Sequence, residues 1–438
     1  MDTGFPTEAD AVIVGAGITG CSTAYRLAKR GWNVVVLEKD DIAHEASGRT
    51  MAAVGVVGKH HPDEFALAKA SMEIWFGLNE ELGTDIEFIN GGRLVIANAE
   101  EDLPLFDEMI RGAEESGVAI EWFDAPRARA KWPFLKGPFI KAAHSPHEGH
   151  VNPVKVVHSF ARSAREYGAR ILTECLATEV VTRAGKVASV VTNRGEISTS
   201  VVLDAAGVWG YRLADRLGVG FPVQLIKVVQ GETEPAPRLF DCFLRGPDYG
   251  GRQTASGAFR ITGGYRKMDV YHDLSLHDLR DLGVWIPRIL RYRKDVTMKM
   301  NRDILKLDVA ALLNGVTGWR NGPPAPVGAE PRPQPENVAR KLKRMSELVP
   351  EMKGLRLART WGGYVDMTPD FLPVLGAVKG IEGFYLATGF SGHGFAVGPI
   401  VGKLMAELIV DGKTSVDIRA FRPSRFAEEK VPMPRRLM

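Results

Sequence analysis

Apolar positions along the chain fall into short runs and helical stripes that alternate. Ala11 to Val14 is an apolar run between polar residues and reads as a buried strand. The turn Gly15-Ala16-Gly17-Ile18-Thr19-Gly20 follows. From Cys21 to Lys29, Ala24, Leu27 and Ala28 are spaced to pack one helix face on a sheet, and Gly31 ends that helix. Trp32 to Leu37 reads as a second strand, closing at Glu38. Further on, Gly92 to Ala97 predicts a strand, Glu101 to Ser116 a helix, and Lys155 to Tyr167 a helix stopped by Gly168. Val201 to Asp204 is another apolar strand and runs into Ala205-Ala206-Gly207. Arg260 to Tyr265 predicts a strand facing a ligand cavity, and Leu276 to Leu290 a helix. The proline-dense run from Pro323 to Pro335 suits neither helix nor central strand, so it is a loop or lid. Gly383 to Thr388 is a strand, followed by a glycine turn and a helix from about Val397 to Val410. Leu404, Leu408 and Ile409 form its packing face, and Gly412 stops it.

Composition narrows the class. With 438 residues, 45% hydrophobic and 25% charged, the chain suits a soluble globular protein of two domains. A net charge of +3 does not argue for a nucleic-acid partner. The three cysteines, Cys21, Cys175 and Cys242, are far apart and give neither a disulfide framework nor a zinc spacing, so no metal is expected. The polar start from Met1 to Asp10 lacks signal-peptide features, and no apolar run is long enough for a membrane span. The expectation is a cytoplasmic protein. His60-His61 reads as exposed loop.

The first glycine turn carries chemistry. Gly15 permits the tight turn, Gly17 lets the backbone approach a pyrophosphate, and Gly20 lets the helix lie on the strand. The helix start at Ile18 and Thr19 offers free N–H groups and a partial positive charge. Glu38, with Lys39 beside it, stands where an acid accepts hydrogen bonds from ribose hydroxyls. Together these predict dinucleotide binding. The motif alone does not choose between FAD and NAD; its place near the start of the chain and the later glycine signals favour FAD. Glu45 to Gly55, which includes Ser47, Gly48, Arg49 and Thr50, is dense in small residues and suits backbone against a flat ligand, the alternative being a flexible surface loop. Ala206, Gly207 and Trp209 form a turn suited to the ADP half. Val180 either flanks the adenine or is core. The turn Gly389 to Phe395, with Ser391, Gly392, His393 and Gly394, aims a helix start at the flavin's pyrimidine edge.

These segments, with Trp361-Gly362-Gly363-Tyr364 and Thr368-Pro369-Asp370, resemble the D-amino-acid oxidase superfamily. Within it they are most similar to the sarcosine oxidase, glycine oxidase and opine oxidase group. The resemblance implies an α/β fold with a glutathione-reductase-like, Rossmann-type FAD domain and an antiparallel-sheet α+β substrate domain. The FAD domain would comprise 1–90, 145–225 and 355–438, with Gly363 also at the cofactor. The substrate domain would comprise 91–144 and 226–354, with 275–345 as an insertion. The resemblance also implies oxidation of a C–N bond. Three departures stand out. Where monomeric sarcosine oxidases place a lysine after Gly-His-Gly-Phe, this chain has Ala396. Tyr364-Val365-Asp366 offers no counterpart to glycine oxidase's arginine. With no cysteine beyond Cys242, a flavin thioether near Thr368-Pro369-Asp370 is ruled out, so FAD is expected to be non-covalent.

The expected reaction sets an amine over the flavin, passes hydride to N5 and leaves an imine for water to hydrolyse. A secondary amine or N-substituted amino acid is the favoured substrate. Candidate substrate-site residues are Arg49, Arg260, Tyr265, Tyr364 and His393. Arg49 pairs with a substrate carboxylate or holds the flavin, Arg260 contacts substrate or pairs structurally, and Tyr265 and Tyr364 shape the pocket or pack in the core. His393 meets the flavin through its backbone or acts as an acid or base. Arg260 aligns loosely with a lysine that assists oxygen reduction in sarcosine oxidase. The electron acceptor is therefore oxygen or, in an FAD subunit of a hetero-oligomeric amino-acid or opine dehydrogenase, a partner; an oligomer fits either.

Overall fold

The computed structural model describes residues 4–59, 61–293, 296–306, 308–309, 331–429 and 431–434. His60, part of the basic piece 288–299 and the proline run up to residue 330 lie outside them.

Among the described residues, a six-stranded sheet runs in the order Val374–Ala377, Phe384–Thr388, Val202–Asp204, Ala11–Val14, Val34–Leu37 and Arg170–Leu172. Its pairings are parallel except Val374–Ala377 on Phe384–Thr388. Buried on both faces, these strands are continuous apolar runs, not alternating ones. The helix Ile18–Ala28 lies on this sheet, with the helices Pro153–Glu166 and Gly394–Asp411 beside it. Its residues are almost all buried, which explains why small ones dominate it. Glycine sets how near the last helix comes. A Cβ on Gly398 would stand 2.6 Å from Ile18 Cγ2, and one on Gly402 would stand 2.2 Å from Ser22 Oγ.

A second, ten-stranded sheet holds Arg93–Ala97, Glu121–Asp124, Lys141–Ser145, Gln224–Thr233, Phe243–Arg245, Gly250–Gln253, Phe259–Thr262, Val270–Leu274, Val296–Met300 and Leu357–Met367. It is mostly antiparallel. Phe243–Arg245 pairs parallel with Arg93–Ala97, and Val270–Leu274 pairs parallel with Val296–Met300. Leu357–Met367 falls inside the segment expected to join the flavin domain, yet it pairs along the whole of Gln224–Thr233. Ladder bonding down a long strand outweighs its nearness in sequence to the C-terminal turn. The expected helix at 276–290 divides into a 3₁₀ turn, Leu276–Leu279, and a helix, Leu282–Tyr292. Among the described residues no helix is long and apolar enough to cross a membrane.

Candidate active site

A cavity of about 1190 Å³ runs from the ends of the parallel strands to one face of the large sheet. At one end lie Glu38, Lys39, Cys175, Val180 and Asn193. Gly15, Gly17, Ile18, Thr19, Ala206 and Gly207 line its middle. The far end is built from residues of two turns, among them Ser47, Arg49, Gly55 and Lys59 in one and Gly392, His393 and Gly394 in the other, and from the sheet residues Arg93, Val228, Gln230, Phe243, Arg245 and Thr262.

The cradle is held by short bonds. The Ala16 N–H donates to Glu38 Oε2 at 2.8 Å, and the Asp40 N–H donates to Oε1 at 2.9 Å. Burial raises the Glu38 carboxyl, against the lowering effect of these two amides. The Ile18 N–H donates to Ser47 Oγ at 3.0 Å, which joins the helix start to the second loop. The first-turn amides of a helix have no intrahelical acceptor, and here they open on the cavity. Gly15 sits at φ +104, and a Cβ there would stand 2.5 Å from Ala205 O. Beneath the Ala205 turn, Asp204 is fully buried. Its Oδ1 accepts from the Ala206 N–H at 3.0 Å, and burial pushes its carboxyl up to about 7. At the C-terminal turn, Asp366 Oδ2 accepts from the Gly389 N–H at 2.6 Å and from Thr388 Oγ1 at 3.2 Å; burial raises this acid to about 6.

Most of the expected residues reach the cavity. They include Gly15, Gly17, Ile18, Thr19, Glu38, Lys39, Ser47, Arg49, Thr50, Val180, Ala206, Gly207, Trp209, Gly363, Tyr364, Gly392, His393, Gly394 and Phe395. Gly20, Gly48, Gly389 and Ser391 do not line it; they shape its backbone. A Cβ on Gly20 would meet Gly15 O at 2.0 Å, and one on Gly48 would meet Ala43 O at 2.1 Å. Ser391 Oγ accepts from the Thr368 N–H at 3.1 Å.

Two of the candidate substrate-site residues take the structural one of their two expected roles. Arg260 does not line the cavity: it donates to Glu232 Oε2 at 2.9 Å and to Thr50 O at 3.0 Å, over the Trp361 ring. Tyr265 is buried in the core, its hydroxyl donating to Ile96 O at 3.1 Å. In each case a carboxylate or carbonyl already inside the protein takes the polar group, because a buried donor is costly without an acceptor. Arg49 donates to the His44 and Gly362 carbonyls at 3.0 and 3.4 Å. The Tyr364 hydroxyl donates to Asp273 Oδ2 at 2.6 Å and accepts from Asn301 at 3.1 Å.

A buried charged group at the far end was not anticipated. Lys59 Nζ lies 3.6 Å from Glu64 Oε1, and His393 Nδ1 lies 2.6 Å from the same oxygen. Arg93 Nε lies 2.6 Å from Glu148 Oε2, and Arg93 Nη1 donates to Val57 O at 2.8 Å. Glu148 Oε1 accepts from the Val56 and Val57 N–H groups at 3.0 and 2.7 Å. Burial, then the charge of Lys59, lowers His393, and burial lowers Lys59. The available signal was an arginine opening the apolar run Leu94 to Ala97, where an unpaired charge would be expensive.

The chain's own groups fit FAD. A Cβ-free approach at Gly15 and Gly17, a helix start, an acid at the second strand's end and a second helix start at Gly394 all face one cavity. Comparison with known proteins agrees. A family model described as DAO, FAD dependent oxidoreductase, matches residues 10–408. Glycine oxidase of Bacillus subtilis (strain 168) is 25% identical over 430 residues, covering 95% of this chain and 97% of that protein. Mitochondrial dimethylglycine dehydrogenase of Mus musculus is 23% identical over 430 residues; the match covers 96% of this chain and 44% of the relative, so the chain spans less than half its length. The L-amino acid deaminase from Proteus myxofaciens, solved in complex with anthranilate, has the same fold, with a TM-score of 0.84 at 24% identity, covering 97% of this chain and 95% of that one. With the cradle, the second helix start and a family match over nearly its whole length, the chain belongs to the DAO family of FAD-dependent oxidoreductases.

Proposed function

We propose that this chain oxidises the C–N bond of a small amine or amino acid, with a secondary amine or N-substituted amino acid favoured. The observation that carries this reading is one continuous cavity joining the dinucleotide cradle to a polar wall of the large sheet. When bound, FAD supplies the two-electron acceptor. The protein's part is to bind, orient and keep the amine neutral. The imine product is hydrolysed by water to a carbonyl compound and an amine.

Gln230 and Tyr364 both line this cavity. Among the described residues Gln230 Oε1 is buried without a hydrogen-bond donor, so an amine N–H is a ligand it can accept. The helix Gly394–Asp411 has no acidic residue in its first turn, so its positive end favours negative charge in the cavity. FAD is held without a covalent bond in this reading. Cys175 lines the cavity at its Glu38 end, away from the 390–396 turn, and burial raises its thiol. A second reading, in which electrons pass to a partner subunit, is favoured by the exposed side chains Leu279, Leu282, Ile286 and Leu290 on the 3₁₀ turn Leu276–Leu279 and the helix Leu282–Tyr292.

The test is an anaerobic screen of N-methyl amino acids, cyclic imino acids, primary amino acids and simple amines, read as loss of the flavin's visible absorbance. Bleaching by at least one is expected, and none bleaching it would end the proposal. Rapid peroxide formation in air would end the partner reading.

A further inference from the structure

A second cavity, of about 300 Å³, lies between the helix Leu282–Tyr292 and the large sheet. Trp285, Ile289 and Tyr292 line it from the helix, Ile226 and Met367 from two paired strands, and Phe371 from the turn after Thr368-Pro369-Asp370. Phe371 sits at φ +63, a conformation that an aromatic residue rarely adopts. Arg425 Nε donates to Asp370 Oδ2 at 2.8 Å and holds that turn in place.

The sheet sets the relation of this cavity to the first. Gln224, Ile226, Val228 and Gln230 share one face of their strand, because successive side chains alternate. Val228 and Gln230 line the first cavity, and Gln224 and Ile226 line the second. On the paired strand, Gly363 and Val365 line the first and Met367 the second. The two cavities therefore adjoin along one sheet face, and same-face neighbours that line one and the other are about 7 Å apart.

The lining selects a ligand. Arg288 is engaged by the carbonyls of Pro369, Val284, Val431 and Pro432. His272 has Leu225 O at 3.0 Å from one ring nitrogen and Asp278 Oδ2 at 2.9 Å from the other. The Tyr292 hydroxyl donates to Pro434 O. Gln224 and Arg293 complete the polar lining. Trp285 differs: it is 3% exposed, and among the described residues its indole N–H is buried without an acceptor. Leaving a buried donor unmade is costly, so a fitting ligand brings one carbonyl oxygen. The rings of Trp285, Tyr292 and Phe371 suit a flat, neutral body for the rest of it. Met298 lines the cavity and is 43% exposed, and Ile286 and Leu290 are exposed on the same helix, so the surface around it suits a hydrocarbon substituent.

We propose that this cavity is a quinone site, and that the quinone receives the electrons taken from the substrate. This rests on the flavin chemistry proposed above and names an acceptor for it. Two electrons and one proton leave the reduced flavin and a second proton comes from water. The quinone's two carbonyl oxygens become hydroxyls, and the flavin returns to its oxidised form.

The test uses the FAD-loaded protein and menadione, a naphthoquinone. Binding to the oxidised protein is measured by calorimetry, with 1-methylnaphthalene, which has no carbonyl, as the control. Menadione is expected to bind about fivefold or more tightly than the control, the effect of about one neutral hydrogen bond. Trp285→Phe keeps an aromatic ring without the N–H and should lose that difference. Ile289→Trp fills the cavity and should weaken menadione about tenfold or more at unchanged flavin content. Photochemically reduced protein is then mixed with menadione in the absence of oxygen, and the return of flavin absorbance should be about tenfold or more slower in Ile289→Trp. If one variant does not fold, the other decides. Equal affinity for quinone and hydrocarbon, unchanged menadione binding in a flavin-replete variant, or reoxidation as fast in Ile289→Trp as in wild type overturns the site. No amine takes part in these measurements, so their failure leaves C–N oxidation standing, and an amine screen without bleaching leaves the quinone site standing.

Discussion

Replacing Gly20 by alanine puts a methyl group where the first helix rests on the first glycine turn. Its Cβ would stand 2.0 Å from Gly15 O, 3.1 Å from the Gly15 carbonyl carbon and 3.4 Å from Ile13 Cγ2. Carbon contacts relax at about 3.5 Å, so roughly 1.5 Å of separation has to be found. Gly15 has little room to give, being at φ +104 with Ala205 O against it. The helix start must move instead, taking the Gly17 to Thr19 amides away from where a pyrophosphate would sit. Overpacking of this kind costs about 1–3 kcal/mol, offset by up to about 1 kcal/mol of helix propensity. Gly77 is the control: it lies exposed in the helix Pro62–Leu82 with nothing within 4 Å of a Cβ. Gly77→Ala should therefore hold or raise the melting temperature. Gly20→Ala should lower it and lower flavin content, with FAD affinity measured by flavin fluorescence falling about tenfold or more, or about 1.4 kcal/mol. Wild-type flavin affinity and melting temperature in Gly20→Ala would refute the packing argument.

Other substitutions test other parts of the structure. Arg425 and Asp370 form a buried pair at 2.8 Å that ties the C-terminal segment to the Thr-Pro-Asp loop. Arg425→Met should cost about 3–5 kcal/mol in urea unfolding, and adding Asp370→Leu should recover part of it; a single variant as stable as wild type would contradict this. Asp204 has its folded carboxyl raised by burial to about 7 from an ordinary 3.8. Its contribution is fully present below about pH 4 and is lost as pH rises through about 7, a change on the order of 4 kcal/mol. Asp204→Asn lacks that loss, so its stability relative to wild type should increase from acid to neutral pH. A difference that does not vary with pH would show that the acid is not held protonated.

The dinucleotide cradle was legible because its parts are local. Gly15, Gly17, Gly20 and Glu38 lie within one strand-turn-helix-strand unit, whose backbone demands act over a few residues and leave their mark in residue type. The same holds for the Gly389 to Phe395 turn and its helix. The polar wall of the large sheet was not legible. Arg260 and Tyr265 looked available from their strand, but Glu232, Thr50 O and Ile96 O claim them, and those partners come from elsewhere in the chain.

Lys59, Arg93 and Arg245 carry no shared motif, and Arg93 begins an otherwise apolar strand. Strand register, Arg93 opposite Phe243 and Val95 opposite Arg245, brings the two arginines onto neighbouring strands. The sequence by itself therefore determined the cofactor cradle and the family. The tertiary structure decided which charges face the cavity, because pairing between distant strands and competition among buried polar groups are settled only when the whole chain has packed.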